Sequence, residues 1–171
     1  QVIGPLLFTI GSLWHQGQLQ PANEHLATTT IRRVLTWMGE VTAPVAGAPV
    51  VIVGTPAHHV HELGAMLAAT TASGNGWRVV YLGANLPAEE LARAVRQVKA
   101  DAIALSIVYP AGDPQVAEEL RRLRTALGPQ VGIVVGGSGA GSYGEVLREI
   151  GADQLTSLTA LRGWLRRRAR G

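Results

Sequence analysis

Cysteine is missing from this chain of 171 residues. That absence excludes disulfides, thiolate nucleophiles and cysteine-held zinc or iron–sulfur centres in one step. It also fits a cytoplasmic protein. No stretch of these residues reads as a secretory signal. The longest uncharged stretch, residues 41–57, contains Pro44, Pro49 and Pro56 and makes a poor membrane helix. No aromatic residues interleave with the basic cluster Arg166, Arg167, Arg168 and Arg170, so it reads as a solvated helix end rather than a nucleic-acid surface. The chain opens on Gln1 inside an apolar helical pattern and reads as a fragment of something longer. What is present is apolar: 47% of the residues are hydrophobic and only 16% charged, enough for a substantial core in one large domain or in one domain with a helical appendage.

Hydrophobic spacing divides the chain. Residues 2–16 carry Ile3, Leu6, Leu7, Ile10, Leu13 and Trp14 at helical intervals, with Gly17 as a stop. A second helix is expected from Pro21 to Trp37 or Met38, with Leu26, Thr30, Val34 and Trp37 on one face. Residues 1–39 form this helical part, and residues 40–49, rich in Pro, Ala and Gly, form a linker. From residue 50 to 171 the pattern changes to short β-branched runs at 50–54, 78–82, 102–106 and 131–135, with a weak fifth at 153–155. Helical segments near 62–74, 87–98, 114–127, 142–150 and 158–169 separate them. This alternation predicts an α/β domain with a doubly wound, five-stranded parallel sheet, and such sheets bind ligands beyond the carboxyl ends of their strands. The rule selects Gly54 to Gly64, Ser106, and Gly136-Gly137.

All five histidines fall in two clusters. His58, His59 and His61 crowd the first of those strand ends, and His15 and His25 lie in the helical part. A loop imidazole is a good ligand for cobalt or iron, and its second nitrogen is oriented by a neighbouring acceptor. His61 is the ligand candidate, and His59 the orienting neighbour. Gly64, three residues on, lets backbone approach a flat ligand. Read as plain loop residues, these histidines need no metal at all, and a zinc site from His58 and His61 lacks a third ligand. In the helical part, Trp14 can cover an apolar ligand face and Glu24 can accept from a sugar hydroxyl. As core and solvated first turn, the same residues need no ligand.

The set as a whole resembles a known family. His61-Glu62-Leu63-Gly64, Ser106-Ile107-Val108 and Gly136-Gly137 resemble the Asp-x-His-x-x-Gly, Ser-x-Leu and Gly-Gly motifs of cobalamin-binding domains. His59 stands where the motif has its acid, and Val108 where it has leucine. Trp14, nine residues, then Glu24-His25 is similar to the Trp-x9-Glu-His signature of the CarH-type and LitR-type light-responsive MerR regulators. The resemblance implies a flavodoxin-like cobalamin-binding fold at 50–171, preceded by part of a helical-bundle cap. It implies His61 as lower cobalt ligand, with His59 beside it, and Gly64, Ser106, Gly136 and Gly137 around the nucleotide tail. Trp14, Glu24 and His25 then face the upper adenosyl group of adenosylcobalamin. His15 is the imidazole that can ligate cobalt after photolysis.

The expected function is a cobalamin-binding photosensory module, a sensor rather than a catalyst, that regulates an attached output, with transcription the foremost case. A homo-oligomer is expected, with DNA bound only through a domain outside this chain and no membrane contact. The alternative is a corrinoid carrier of a methyltransferase system, against which a bulky cap over the upper face argues. A flavodoxin-like nucleotide binder is weaker still, since no glycine-rich phosphate loop follows the first strand.

Overall fold

The computed structural model describes residues 20–40 and 46–170, with residues 9, 13, 16 and 17 before them. The expected first helix, with Trp14 and His15, lies almost wholly outside the described residues, as does most of the expected linker. The chain divides into two compact units, Gln1–Val41 and Thr42–Gly171.

In the first unit, helix α1 runs Pro21–Glu40, two residues past its expected end. Proline suits the first helical position, where its missing N–H has no partner to lose. The face expected to pack is not the buried one. Leu26, Val34 and Trp37 are exposed, while Ile31 and Leu35, four residues apart, are buried. Both stripes have helical spacing, so periodicity alone does not choose between them.

The second unit is a five-stranded parallel sheet with helices on both faces. Its elements are β1 (Val50–Pro56), α2 (Leu63–Ser73), β2 (Arg78–Leu86), α3 (Ala88–Val98), β3 (Ala102–Ser106), α4 (Pro114–Leu127), β4 (Gly132–Gly136), a 3₁₀ turn Ala140–Tyr143, α5 (Gly144–Glu149), β5 (Asp153–Gln154) and α6 (Leu158–Arg168). The strand order is β2-β1-β3-β4-β5, with every pairing parallel. β1 is buried along its whole length, which is why its run is continuously apolar rather than alternating. Successive β1 residues serve opposite faces. Ile52 joins Ile103, Leu105, Ile133 and Val135 under Leu91, Leu120 and Leu123. Val51 and Val53 join Ala102, Ala104 and Val134 under Ala65, Leu161, Trp164 and Leu165.

Local signals set the helix ends. Asp113 caps α4, its carboxylate accepting from the Gln115 N–H at 2.8 Å, with Pro114 next. Ser157 caps α6 through the Ala160 N–H at 3.1 Å. The helix expected at 142–150 divides into the 3₁₀ turn and a short α5. The basic end of α6 is exposed, yet Arg168 is engaged, donating to the carbonyls of Gln130 and Asp101. Among the described residues no helix is long and apolar enough to cross a membrane.

Candidate functional site

Strand order reverses between β1 and β3, both paired to one another while their further neighbours β2 and β4 lie on opposite sides. The connections leaving them at their carboxyl ends run to opposite faces, and a crevice opens between. Three segments meet there: the β1–α2 loop with the histidines, the end of β3 at Ser106, and the turn after β4.

Ser106 is buried, and its Oγ has no hydrogen-bond partner. Beside it is Gly64, in the first turn of α2; a Cβ at that position would stand 2.5 Å from the Ser106 Oγ. A buried hydroxyl without a partner costs free energy unless something else completes it. Here it borders space that only glycine leaves open.

The turn after β4 closes on the next stretch of β3. The Ile107 N–H donates to Gly136 O at 2.8 Å, and the Gly139 N–H to Ile107 O at 3.0 Å. Gly137 has φ +99°, and a Cβ on it would fall within the van der Waals shell of the Ile107 carbonyl. Gly139 is as restricted, its Cβ position lying 2.5 Å from Val108 O. Gly136 is looser, 3.3 Å from Leu155 O. Of the expected pair, Gly137 is thus the strict requirement, and Gly139 is a partner that sequence reasoning missed. The signal was present, as a third glycine in Gly-Gly-Ser-Gly.

The histidines separate by environment. His61 is exposed, its ring meeting that of Tyr109 edge-on, with centroids 6.4 Å apart. Tyr109 comes from the β3–α4 connection and was not anticipated. Glu62, at the start of α2, accepts a hydrogen bond from the Tyr81 hydroxyl at 2.7 Å, tying the loop to β2. His59 is fully buried, and neither ring nitrogen has a hydrogen-bond partner. Burial pushes its pKa below the ordinary histidine range. The Asp113 carboxylate and the Tyr109 backbone pull the other way without completing a bond, while His61 and His58 add to the lowering. His59 is therefore a buried ring whose charged form burial disfavours, with unpartnered nitrogens, in the position of the motif's acid. His58 is exposed at φ +68°, its N–H held by Asn85 Oδ1 at 2.8 Å. Its backbone, not its ring, is what the structure uses.

Among the described residues no three histidine or acidic side chains gather to hold a metal ion by themselves. One exposed imidazole suits a metal whose other positions a macrocycle fills. The unpartnered Ser106 hydroxyl, the Gly64 opening and the Gly137 crossing suit a narrow appended group. These residues fit a corrinoid.

Comparison with known proteins gives the same answer. Residues 49–160 match the model of the B12 binding domain. This chain belongs to the B12-binding domain family. The B12-binding chain is 33% identical over 150 residues to the HTH-type transcriptional repressor CarH of Myxococcus xanthus, covering 88% of itself and 50% of that protein. It is 33% identical over 140 residues to the repressor CarA of the same organism, covering 82% of itself and 48% of CarA. The chain thus spans about half the length of the curated relatives it matches. Among solved structures, a cobalamin-binding protein from Desulfitobacterium hafniense DCB-2 superposes with a TM-score of 0.61 at 17% identity, covering 93% of this chain and 76% of that one. The monomethylamine corrinoid protein of Methanosarcina barkeri gives 0.65 at 16%, covering 90% and 74%. At such identities these two show the shared fold.

On the helical side, the Glu24 backbone and His25 lie in the first turn and a half of α1, with His25 exposed. Trp14 and His15 lie outside the described residues, so the Trp-x9-Glu-His signature stands on the sequence.

Proposed function

We propose that this chain is a photosensory module that binds adenosylcobalamin and governs an attached output domain, with transcription as the regulated process. The observation that carries the corrinoid part is the unpartnered Ser106 hydroxyl beside Gly64 at the β1/β3 switch point. When bound, adenosylcobalamin supplies a light-labile cobalt–carbon bond. The chain's own residues supply the rest. On this reading His61 would present its imidazole from an exposed loop as the lower ligand, with Glu62, next in the chain, held to Tyr81 at the start of α2. Ser106, Gly136 and Gly137 border the channel for the nucleotide tail. Trp14, Glu24 and His25 belong to the helical part and are assigned to the adenosyl group by the family signature, with His15 the second imidazole of this reading.

A binding and sensing role fits relatives named as repressors better than a catalytic one does. Those relatives are named as HTH-type, and DNA contact is assigned to a domain of that kind outside this chain. A change in self-association under illumination is the proposed means of passing the signal on, because a ligand shifts an equilibrium only by contacting its two states differently.

The test is to add adenosylcobalamin to the protein in darkness, then record absorption spectra and elution volume before and after illumination. Retained corrinoid with a light-dependent change in both is expected. No retention sinks the cobalamin reading, and retention without any light response favours a corrinoid carrier. His61→Ala is expected to weaken retention or return the tail base to cobalt. His15→Ala is expected to remove only a spectral form seen after illumination.

A further inference from the structure

The loop that carries His61 is tied to the sheet at its other end by a small polar knot. Thr55, the penultimate residue of β1, is fully buried. Its hydroxyl donates to the His59 carbonyl and accepts from the Asn85 N–H at 2.9 Å. The same Asn85 N–H reaches the His59 carbonyl at 3.1 Å. The Asn85 Oδ1 then takes the His58 N–H at 2.8 Å, and the His59 N–H reaches back to Pro56 O at 3.2 Å.

Two residues are held at positive φ to make this closure, His58 at +68° and Asn85 at +61°. Left-handed backbone is unfavourable outside glycine, and asparagine tolerates it best because its short amide bonds locally. The pairing of β1 with β2 slips at the same level, between Val53 and Gly54 and again between Gly54 and Pro56. That irregularity brings Asn85 level with the loop; such bulges re-aim side chains beside functional sites.

His61 therefore hangs between two fixed points. On one side the knot pins the carbonyl of His59, whose ring is buried. On the other, α2 begins, with Met66 N–H donating to Glu62 O at 2.9 Å. Only the exposed Val60 intervenes between the knot and the imidazole.

We infer that Thr55, acting with Asn85, is a positioning residue that aims the His61 imidazole at the corrinoid, separately from the channel that holds the tail. This rests on the cobalamin reading above. A hydroxyl that both donates and accepts is required here. Valine matches threonine in shape but offers neither bond, whereas serine keeps both.

The probe is cob(II)alamin added to protein carrying isotope-labelled histidine, read by nitrogen splitting in the cobalt resonance and by corrinoid retention on gel filtration. In the unmodified protein the splitting is expected to report a protein imidazole. Thr55→Val is expected to cut the imidazole-ligated fraction about 10-fold, the scale on which orienting partners act on metal ligands, while corrinoid remains bound through the tail. Thr55→Ser restores the signal. Asn85→Gly keeps the positive φ and the backbone N–H but deletes the acceptor for His58, and is expected to give a smaller loss of the same kind. Being exposed, Asn85 decides the matter if Thr55→Val does not fold. An unchanged imidazole signal in both variants overturns the proposal. So does a parallel fall of ligation and retention that tracks thermal stability, with serine failing to rescue. If the unmodified protein retains no corrinoid, or retains it with only the tail base on cobalt, the site reading itself fails.

Discussion

The two ends of the sheet differ in how fully their polar groups are bonded. At the amino ends of the strands, most of the part-buried polar groups are hydrogen-bonded. The Asp101 carboxylate accepts from the Val50 N–H at 2.7 Å. The Trp164 indole donates to Asp153 at 2.7 Å. The Arg124 guanidinium donates to the carbonyls of Ile150, Gly128, Val131 and Gly151. At the carboxyl ends, Thr55 is buried and bonded in both directions, but Ser106 Oγ and both His59 ring nitrogens are buried without partners. Trp77, entering β2 at the amino end, is the exception, since its indole nitrogen is also unpartnered; nothing in the structure explains it. The contrast separates polarity that holds the domain together from polarity kept available for a ligand. A satisfied network stabilises, whereas an orphaned hydroxyl is tolerated where another molecule completes it.

The largest effect should come from the backbone that shapes the open end. Gly137→Ala combines a left-handed φ with a collision at the Ile107 carbonyl and should cost about 3 kcal/mol or more, measured by urea unfolding. Gly136→Ala, in looser contact, should cost well under half of that, and equal losses would show that the pair acts as one flexible turn. Next is the closed end. Arg124→Met leaves its carbonyls without a charged donor and should destabilise by about 2 kcal/mol. Corrinoid retention at temperatures where the variant is folded should not change, and a specific loss of retention would break the division between the two ends.

Ser106→Ala inverts that pattern. Removing an orphaned hydroxyl should leave the ligand-free chain within about 1 kcal/mol of the original, or slightly more stable. Corrinoid retention should fall, as it should for Gly64→Ala, whose methyl group meets the Ser106 Oγ. A clear loss of stability without ligand in Ser106→Ala would show that the hydroxyl has a structural partner after all.

The smallest effect is a pH dependence. The folded chain lowers the His59 pKa below its ordinary value of 6.5, so the unfolded chain takes up a proton first as pH falls. Stability is then fully present above that value and declines as acidification proceeds through 6.5 toward the folded pKa. The urea midpoint of the cofactor-free chain should drop as the pH falls through 6.5, and His59→Phe should flatten that part of the curve. An unchanged slope in the variant would mean that another group drives the titration.

Much of this architecture is legible in the chain. β3 falls where its apolar run stands, and the α4 boundaries coincide with Asp113-Pro114 and Gly128, because a cap, a proline and a glycine act within a few residues of themselves. His61, Gly64, Ser106 and Gly137 are legible as a set, since each stands at a strand end. The buried face of α1 is not, because Leu26, Val34 and Trp37 keep the same spacing as a packed stripe. Nor is the Thr55–His59–Asn85 knot, whose members are 26 residues apart at their closest across the β1–β2 crossover.

What the sequence by itself determined is the alternation of elements and the identity of the groups at the crevice. Periodicity, caps and glycines are local properties, so they survive without knowledge of the neighbours. Only the tertiary structure decided which groups were left without partners. A hydroxyl or an imidazole has no burial until several strands and helices enclose it. That enclosure leaves the Ser106 hydroxyl and the His59 ring without partners, and leaves His61 exposed on its loop.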